Sequence, residues 1–331
     1  MKFILKRLAE FAVSIAALSF VVFSLLYLAP GDPAKVLAGP RQLKPELLDA
    51  IRDQYGLNDS FWTQYGHWLQ GASRLDFGES IRHGRPVTSL VADHLSISIQ
   101  LVLFSLILSL ILGLVFGVIS AKRRDKLSDR AINLVALVGT SAPSFAVGLL
   151  LLIVFSLLLG IFPGFGLGDG SFIDRVWHLA LPAITLTIGV TALLIKITRS
   201  SMLSEVSSDY ATFMRARSVS GFAITRAQLR NASAPILTST GLILASLLGS
   251  TVLVETTFAI PGVGNLLASA VAMKDVPVVQ YLTMLLSFFI CLASAVVDIG
   301  VYFLNPQTRY RGRARTRDIA ENGSHAEGGE I

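Results

Sequence analysis

Hydrophobic positions along this chain gather into long blocks that contain no Asp, Glu, Lys or Arg: residues 11–31, 94–121, 131–168, 176–195, 231–254 and 276–297. About 20 apolar residues carry a helix across the hydrocarbon core of a bilayer. Each block predicts one crossing, and the third also holds a loop. A first span inside residues 1–29 is followed by spans over about 95–120, 132–159, 177–198, 235–256 and 279–304. Residues 11–29 include eleven Leu, Ile, Val or Phe, each favouring insertion by roughly 0.3–0.6 kcal/mol near a helix centre. Lys2, Lys6 and Arg7 ahead of this block would also suit a secretory signal peptide. The run is long, however, and "LYLAPGDP" lacks a clean small-x-small cleavage site, so a retained span is expected.

Between the blocks lie two segments with their own patterns. Residues 30–93 form a long segment outside the membrane, in which "KPELLDAIRDQYGL" predicts a helix. Pro45 suits its first turn, Leu47, Leu48, Ile51 and Tyr55 share a face, and Gly56 ends it. Phe61, Trp62, Tyr65 and Trp68 follow, suited to a membrane-surface aromatic belt or to contact with an external partner. The second segment, 199–234, contains "DYATFMRARSVSGFAITRAQLRNASAP". Ser207, Ser208 or Asp209 can cap a helix there, and Tyr210, Phe213, Met214 and Arg217 fall at i, i+3, i+4 and i+7. Arg215 and Ser218 flank that ridge, Gly221 is expected to stop the helix, and Pro235 marks the start of the fifth span. Such a ridge fits a groove on another protein or the bilayer surface.

Composition agrees with the blocks: 53% of residues are hydrophobic, 15% are charged and mean hydropathy is +0.64. Charge then orients the chain. Lys122, Arg123, Arg124, Lys126 and Arg130 crowd one short loop, and Arg199, Arg215, Arg217, Arg226 and Arg230 lie in another. The alternating loops 160–176 and 258–278 hold one basic residue each, Arg175 and Lys274. The positive-inside rule places the basic loops, and with them both termini, in the cytoplasm. The net charge of +6 and the "RYRGRARTR" stretch of the 309–331 tail follow from this topology and from attraction to anionic lipid, without a nucleic-acid partner. The end of that tail has a disordered composition. A single cysteine, Cys291, excludes an intramolecular disulfide and a thiolate metal cluster. The expected class is an all-α integral membrane protein with six transmembrane helices and both termini cytoplasmic.

Catalytic motifs are missing. None of the eight lysines follows a glycine, so there is no P-loop and no ATP hydrolysis by this chain. No zinc-protease or nucleophile-elbow motif is present, and no catalytic or metal-binding residue is assigned. Gly166-Leu167-Gly168-Asp169 matches the string of intramembrane aspartyl proteases, but a possible partner, Asp298, is expected on the opposite side of the bilayer. Asp298 is expected to pair locally near the cytoplasmic end of the last span, since a carboxylate at bilayer centre costs about 2.5–3.5 kcal/mol. Asp298 and Lys196 are too few and too near span ends for a self-contained secondary transporter, which would also show internal repeats. Glu255 is expected just outside the fifth span, next to a tight bend at Pro261, Gly262 and Gly264 that suits an external gate.

Several stretches also resemble one family in order along the chain. These are "LAPGDPA", "YGLNDSFWTQYGHWL", "RLDFGESI", the 209–235 insert, "ETTFAIPGVGNLL" and "VVDIGVYFLNPQTR". Together they are similar to the B-type permease subunit of binding-protein-dependent ABC importers, in the dipeptide, oligopeptide and nickel branch. The insert resembles that family's cytoplasmic coupling loop, with Thr212, Phe213 and Met214 where Glu-Ala-Ala is usual and Ser218 where glycine is usual. The resemblance implies a type I importer-like permease fold in a bacterial cytoplasmic membrane. It implies peptide cargo, with nickel or another small solute as the alternative. Implied partners are a second similar permease, two ATPase subunits or one fused ATPase, and an external substrate-binding protein. ATP and Mg would be bound by the ATPase partners, and this chain would hold no cofactor. Asp209, Tyr210, Phe213, Met214, Arg215, Ala216, Arg217, Ser218 and Gly221 would form the docking helix. Serine at 218 lacks glycine's easy access to a left-handed backbone angle, so if that turn is needed the local geometry must differ.

Overall fold

The computed structural model describes residues 2–28, 34–35, 45–54, 56–168 and 170–304. The basic stretch at 309–317 and the tail beyond it, Asp169, and most of 29–44 lie outside the described residues. Everything described is helix and connecting turn, apart from one isolated bridge between Glu79 and Pro86. Helix α1 spans Lys2–Leu28, α2 Pro45–Gln54, α3 Phe61–Ser73 and α4 Val87–Lys122. Next come α5 (Leu127–Ser141), α6 (Ser144–Leu151, continued by wider π-type turns to Leu158) and α7 (Phe172–Val206). The chain ends with α8 (Asp209–Ala216), α9 (Gly221–Asn231), α10 (Ser233–Thr257), α11 (Val263–Ala272) and α12 (Val276–Leu304). Ile4–Tyr27, α4, α7, α10 and Val276–Gly300 are each long and apolar enough to cross a membrane. The sixth crossing is a broken one. Helices α5 and the α6 segment to Leu158 meet at a 107° bend, where Pro143 lacks the amide needed to continue a helix. Two spans also begin well before the apolar blocks that announce them, α4 at Val87 and α7 at Phe172.

The centre of the bundle is the pairing of α4 with α7. Helix α4 turns Ser105, Ser109, Gly113, Gly117 and Ala121 inward, each a turn from the next, while Ile99, Leu103, Ile107, Ile111 and Val115 face outward. Lipid tails are as apolar as leucine, so span association relies on close packing, and small residues at four-residue spacing let two backbones approach. The approach is tight enough that a Cβ on Gly113 would run into Leu194, and one on Gly117 into Thr198. The hydroxyls of Ser105 and Ser109 bond back to carbonyls one turn earlier on their own helix, so the seam holds no orphaned serine. Helix α1 packs antiparallel on α12. Gln280 near one end donates towards the Val22 carbonyl at 3.3 Å, and Arg7 pairs with Asp298 near the other, Nε to Oδ2 at 3.4 Å. Of the aromatic residues in α3, Phe61, Tyr65 and Trp68 are half-buried on Phe20, Phe23 and Tyr27 of α1, and Trp62 is exposed while stacking on Phe20. Trp68 also donates to Gln280 at 3.2 Å. Alternating helix directions bring the loop after α4, the α8–α9 connection, Arg7 and Asp298 to one end of the bundle. The α3 and α11 helices lie at the other.

Candidate functional site

The end that gathers the basic loops carries α8. Ser208 takes the N-cap position with extended backbone, although its hydroxyl bonds to the Glu205 carbonyl and caps nothing. Only eight residues are helical, because Ser218 adopts φ +56° and ends the helix. Val219 N–H donates to the Met214 carbonyl at 3.1 Å and Ser218 N–H to the Arg215 carbonyl at 3.0 Å. That pair of bonds around a left-handed residue is the Schellman stop, a position where glycine is usual because it has no Cβ to strain. Ser218 thus takes the left-handed conformation that glycine reaches more easily. Gly221, expected to stop the helix, instead begins α9, whose first turn is capped by Ser220 accepting from Ala223 N–H at 3.4 Å.

The expected ridge divides between two faces. Ala211 is fully buried, and Tyr210 and Met214 are half-buried on the inward side. The Tyr210 hydroxyl donates to Glu205 at 2.6 Å. Burial, followed by that carboxylate contact, holds the hydroxyl above the ordinary phenol range. Asp209, Thr212, Phe213 and Ala216 form the exposed stripe, with Phe213 62% exposed. Arg215 and Arg217 are also exposed, the Arg217 guanidinium lying over the Phe213 ring at 5.6 Å. One residue of rotation separates this face from the expected one. Helix periodicity identifies an amphipathic stripe, but here the half-buried aromatic, Tyr210, has its hydroxyl satisfied within the chain.

At the same end of the bundle is a polar knot that sequence reasoning missed. Asp129, 3% exposed in the first turn of α5, receives both arms of Arg199 from α7 at 2.8 Å. Ser120 of α4 donates to it at 2.5 Å and Asn133 at 2.7 Å. Two-pronged contacts of this kind are among the stronger charge-assisted bonds and fix orientation as well as distance. The knot ties α4, α5 and α7 together, and Lys122 at the end of α4 bonds Thr225 of α9. The available signals were an aspartate at a helix start and an arginine near the end of a span, but they lie 70 residues apart in sequence.

At the opposite end, Glu255 lies in the last turn of α10, within the 235–256 bounds of the fifth span rather than just outside it, and is fully buried. Its Oε1 accepts from the Ser98 hydroxyl at 2.5 Å, and its Oε2 from Gly264 N–H at 2.7 Å and Asn265 N–H at 3.1 Å. Val263 N–H completes the knot by donating to Ser98 Oγ at 2.9 Å. Glu255 thus holds the free amides at the start of α11, where the helix dipole also favours a carboxylate. The glycines serve this contact more than the bend: a Cβ on Gly262 would overlap the Glu255 carboxylate, and one on Gly264 would come within 2.6 Å of Val252 Cα. The left-handed residue of the turn is Ala259, with φ +50°, and Pro261 follows it. A second anchor was also missed. Buried Asp275 accepts from Ser80 Oγ at 2.6 Å and from the amides of Ile81 and Arg82, pinning the loop before α4.

Asp298 meets the first span through Arg7, and Lys196 is exposed on α7. Gly166 and Gly168 have φ +81° and +75°, so turn geometry accounts for their place in the protease-like string. Asp169 itself falls outside the described residues.

The family described as binding-protein-dependent transport system inner membrane component matches residues 113–310, and its N-terminal companion matches residues 1–102. The chain is 36% identical over 311 residues to the "Probable peptide ABC transporter permease protein" of Sinorhizobium fredii, covering 93% of this chain and 99% of that one. It is 35% identical over 312 residues to the glutathione transport system permease protein of Escherichia coli K12, covering 94% and 100%. A chain from an inward-facing structure of the MetNI methionine ABC transporter shares the fold, with TM-score 0.53, 16% identity, and coverage of 66% of this chain and 97% of that chain. The chain is a multi-pass inner membrane protein belonging to the family of inner membrane components of binding-protein-dependent transport systems.

Proposed function

We propose that this chain is the permease subunit of an importer that moves short peptides across the inner membrane by alternating access, driven by ATP hydrolysis on separate subunits. A second permease completes the pathway, two ATPase subunits bind ATP and Mg, and an external binding protein delivers cargo. Both termini and the α8–α9 segment face the cytoplasm. Peptide cargo is supported by relatives named for peptide and glutathione transport, which match the chain over nearly its whole length.

The observation that carries the reading is the exposed stripe of α8. An apolar ring, Phe213, stands 62% exposed on a short helix between flanking arginines, at the end of the bundle where the basic loops gather. A helix of this kind seats in a groove of a partner. Seated there, α8 passes motor movement to the spans through α9, Lys122 and the Asp129–Arg199 knot. Driving a two-state bundle from 1:99 to 99:1 takes about 5.5 kcal/mol of differential binding. Glu255, Pro261, Gly262 and Gly264 form the external gate in this scheme.

The test is Phe213→Asp in the assembled, reconstituted complex. The variant inserts and folds normally, but peptide uptake falls at least tenfold and ATP hydrolysis no longer responds to loaded binding protein. Wild-type uptake by a stably inserted Phe213→Asp protein removes α8 from the coupling path.

A further inference from the structure

The bend that breaks the third span opens onto a cavity of about 380 Å³, walled by α5, α6, α7 and α10. That is within the range of sites that hold small ligands, roughly 300–1,000 Å³. It lies at half depth: Gly189 stands at the middle of α7 and Ser246 near the middle of α10, and both line it. Its lining contains no charged side chain. It does contain the hydroxyls of Thr140, Ser144, Thr185, Ser246 and Ser250. Thr140 and Thr185 bond back to their own helices, at 2.9 Å each. The hydroxyls of Ser144, Ser246 and Ser250 make no hydrogen bond to any other described residue. Helix α6 also begins here, at Ser144, with no side chain capping its first turn.

The face of α10 beside the cavity is unlike the outer face of α4. Exposed α4 positions are Ile99, Leu103, Ile107, Ile111 and Val115, whereas on α10 Thr238, Ser246, Gly249 and Thr256 are exposed alongside Leu242 and Leu253. Hydrocarbon offers nothing to an open hydroxyl or a free helix amide, so such groups belong where protein, water or a polar ligand meets them. Broken helices whose free ends face a mid-membrane cavity are one recurring way of building a transport site.

We propose that this cavity forms part of the wall of the cargo path, and that Ser144, Ser246 and Ser250 with the open start of α6 bond the backbone amides of a short peptide in transit. The inference rests on the peptide-importer reading and adds to it the residues that touch cargo. With no charge in its lining, the site contacts the groups common to all peptides rather than their side chains. The same feature keeps binding weak enough for release.

Cysteine reactivity tests this in the complete complex. Cys291→Ala provides a cysteine-free parent, into which Ser246→Cys is placed, with Leu134→Cys on the exposed apolar side of α5 as reference. Binding-protein-stimulated ATP hydrolysis by the parent tests the importer reading separately. The expected result is that a small charged thiosulfonate modifies Ser246→Cys at least tenfold faster than Leu134→Cys. Saturating dialanine or trialanine, presented with the binding protein, should slow that reaction several-fold. Equal, slow modification at both positions in the nucleotide-free and nucleotide-bound states overturns the proposal, placing the cavity against lipid or a partner helix. Fast modification that neither peptide slows also overturns it, leaving a water-filled cleft off the cargo path.

Discussion

The two ends of the bundle are built on opposite terms. At the Glu255 end, a buried carboxylate, a serine from α4 and the amides of α11 satisfy one another, and Gly262 and Gly264 leave no room to spare. At the α8 end, the helix is short, its stop places a serine where glycine is usual, and its most apolar side chain faces out. The first end is complete within the chain, while the second presents groups that are satisfied only by something else. Under the proposed function, α8 needs a free face to pass force between subunits, and a gate at the outer mouth needs internal rigidity.

The contrast can be tested from its strongest element to its weakest. Glu255→Ala should produce the largest loss, because the Ser98 hydroxyl and two amides lose their acceptor, at about 1–3 kcal/mol for each buried group left unsatisfied. The measurement is the thermal unfolding midpoint of the purified complex in detergent; an unchanged midpoint would mean that the α11 knot is dispensable. Asp129→Ala comes next. It strands Arg199, but with that side chain a quarter exposed water softens the loss to about 2 kcal/mol, below the 3–5 kcal/mol of a fully buried pair. The same melt should show this loss, and Asp129→Ala with Arg199→Leu should recover part of it. Ser218→Gly should be mildly stabilising, by about 0.5 kcal/mol, since relief of a left-handed serine is partly offset by the greater freedom of glycine when unfolded. Phe213→Asp should change stability in the same melt by no more than about 0.5 kcal/mol, and its effect should appear only in coupled transport. If Phe213→Asp melted the protein as severely as Glu255→Ala, the two ends would not differ as described.

Reading the chain succeeds where the deciding physics is local. The α8 helix, its start at Asp209 and its arginines follow from spacing along a few turns, and the span blocks follow from composition. The misplacements have a common cause. Gly221 resembles a helix stop, but Ser218 closes the turn three residues earlier, because hydrogen bonds to Arg215 and Met214 hold it in a conformation that serine alone disfavours. Tyr210 resembles part of a docking ridge, but Glu205 draws its hydroxyl inward. Glu255 resembles a loop acid because an isolated carboxylate avoids the membrane, and its partner Ser98 is 157 residues away in sequence.

From the sequence by itself come the membrane crossings, the absence of a nucleotide-binding loop and the presence of a basic, partly apolar helix between two of the spans. Each depends on the free energy of a short window against water or lipid, which residue order alone determines. Only the tertiary structure decides that one span is broken by 107° around a hydroxyl-lined cavity, that Asp129 and Arg199 join three helices, and that Phe213 rather than Tyr210 faces outward. Those outcomes depend on which helix lies against which, and packing among distant segments sets the final rotation of each helix.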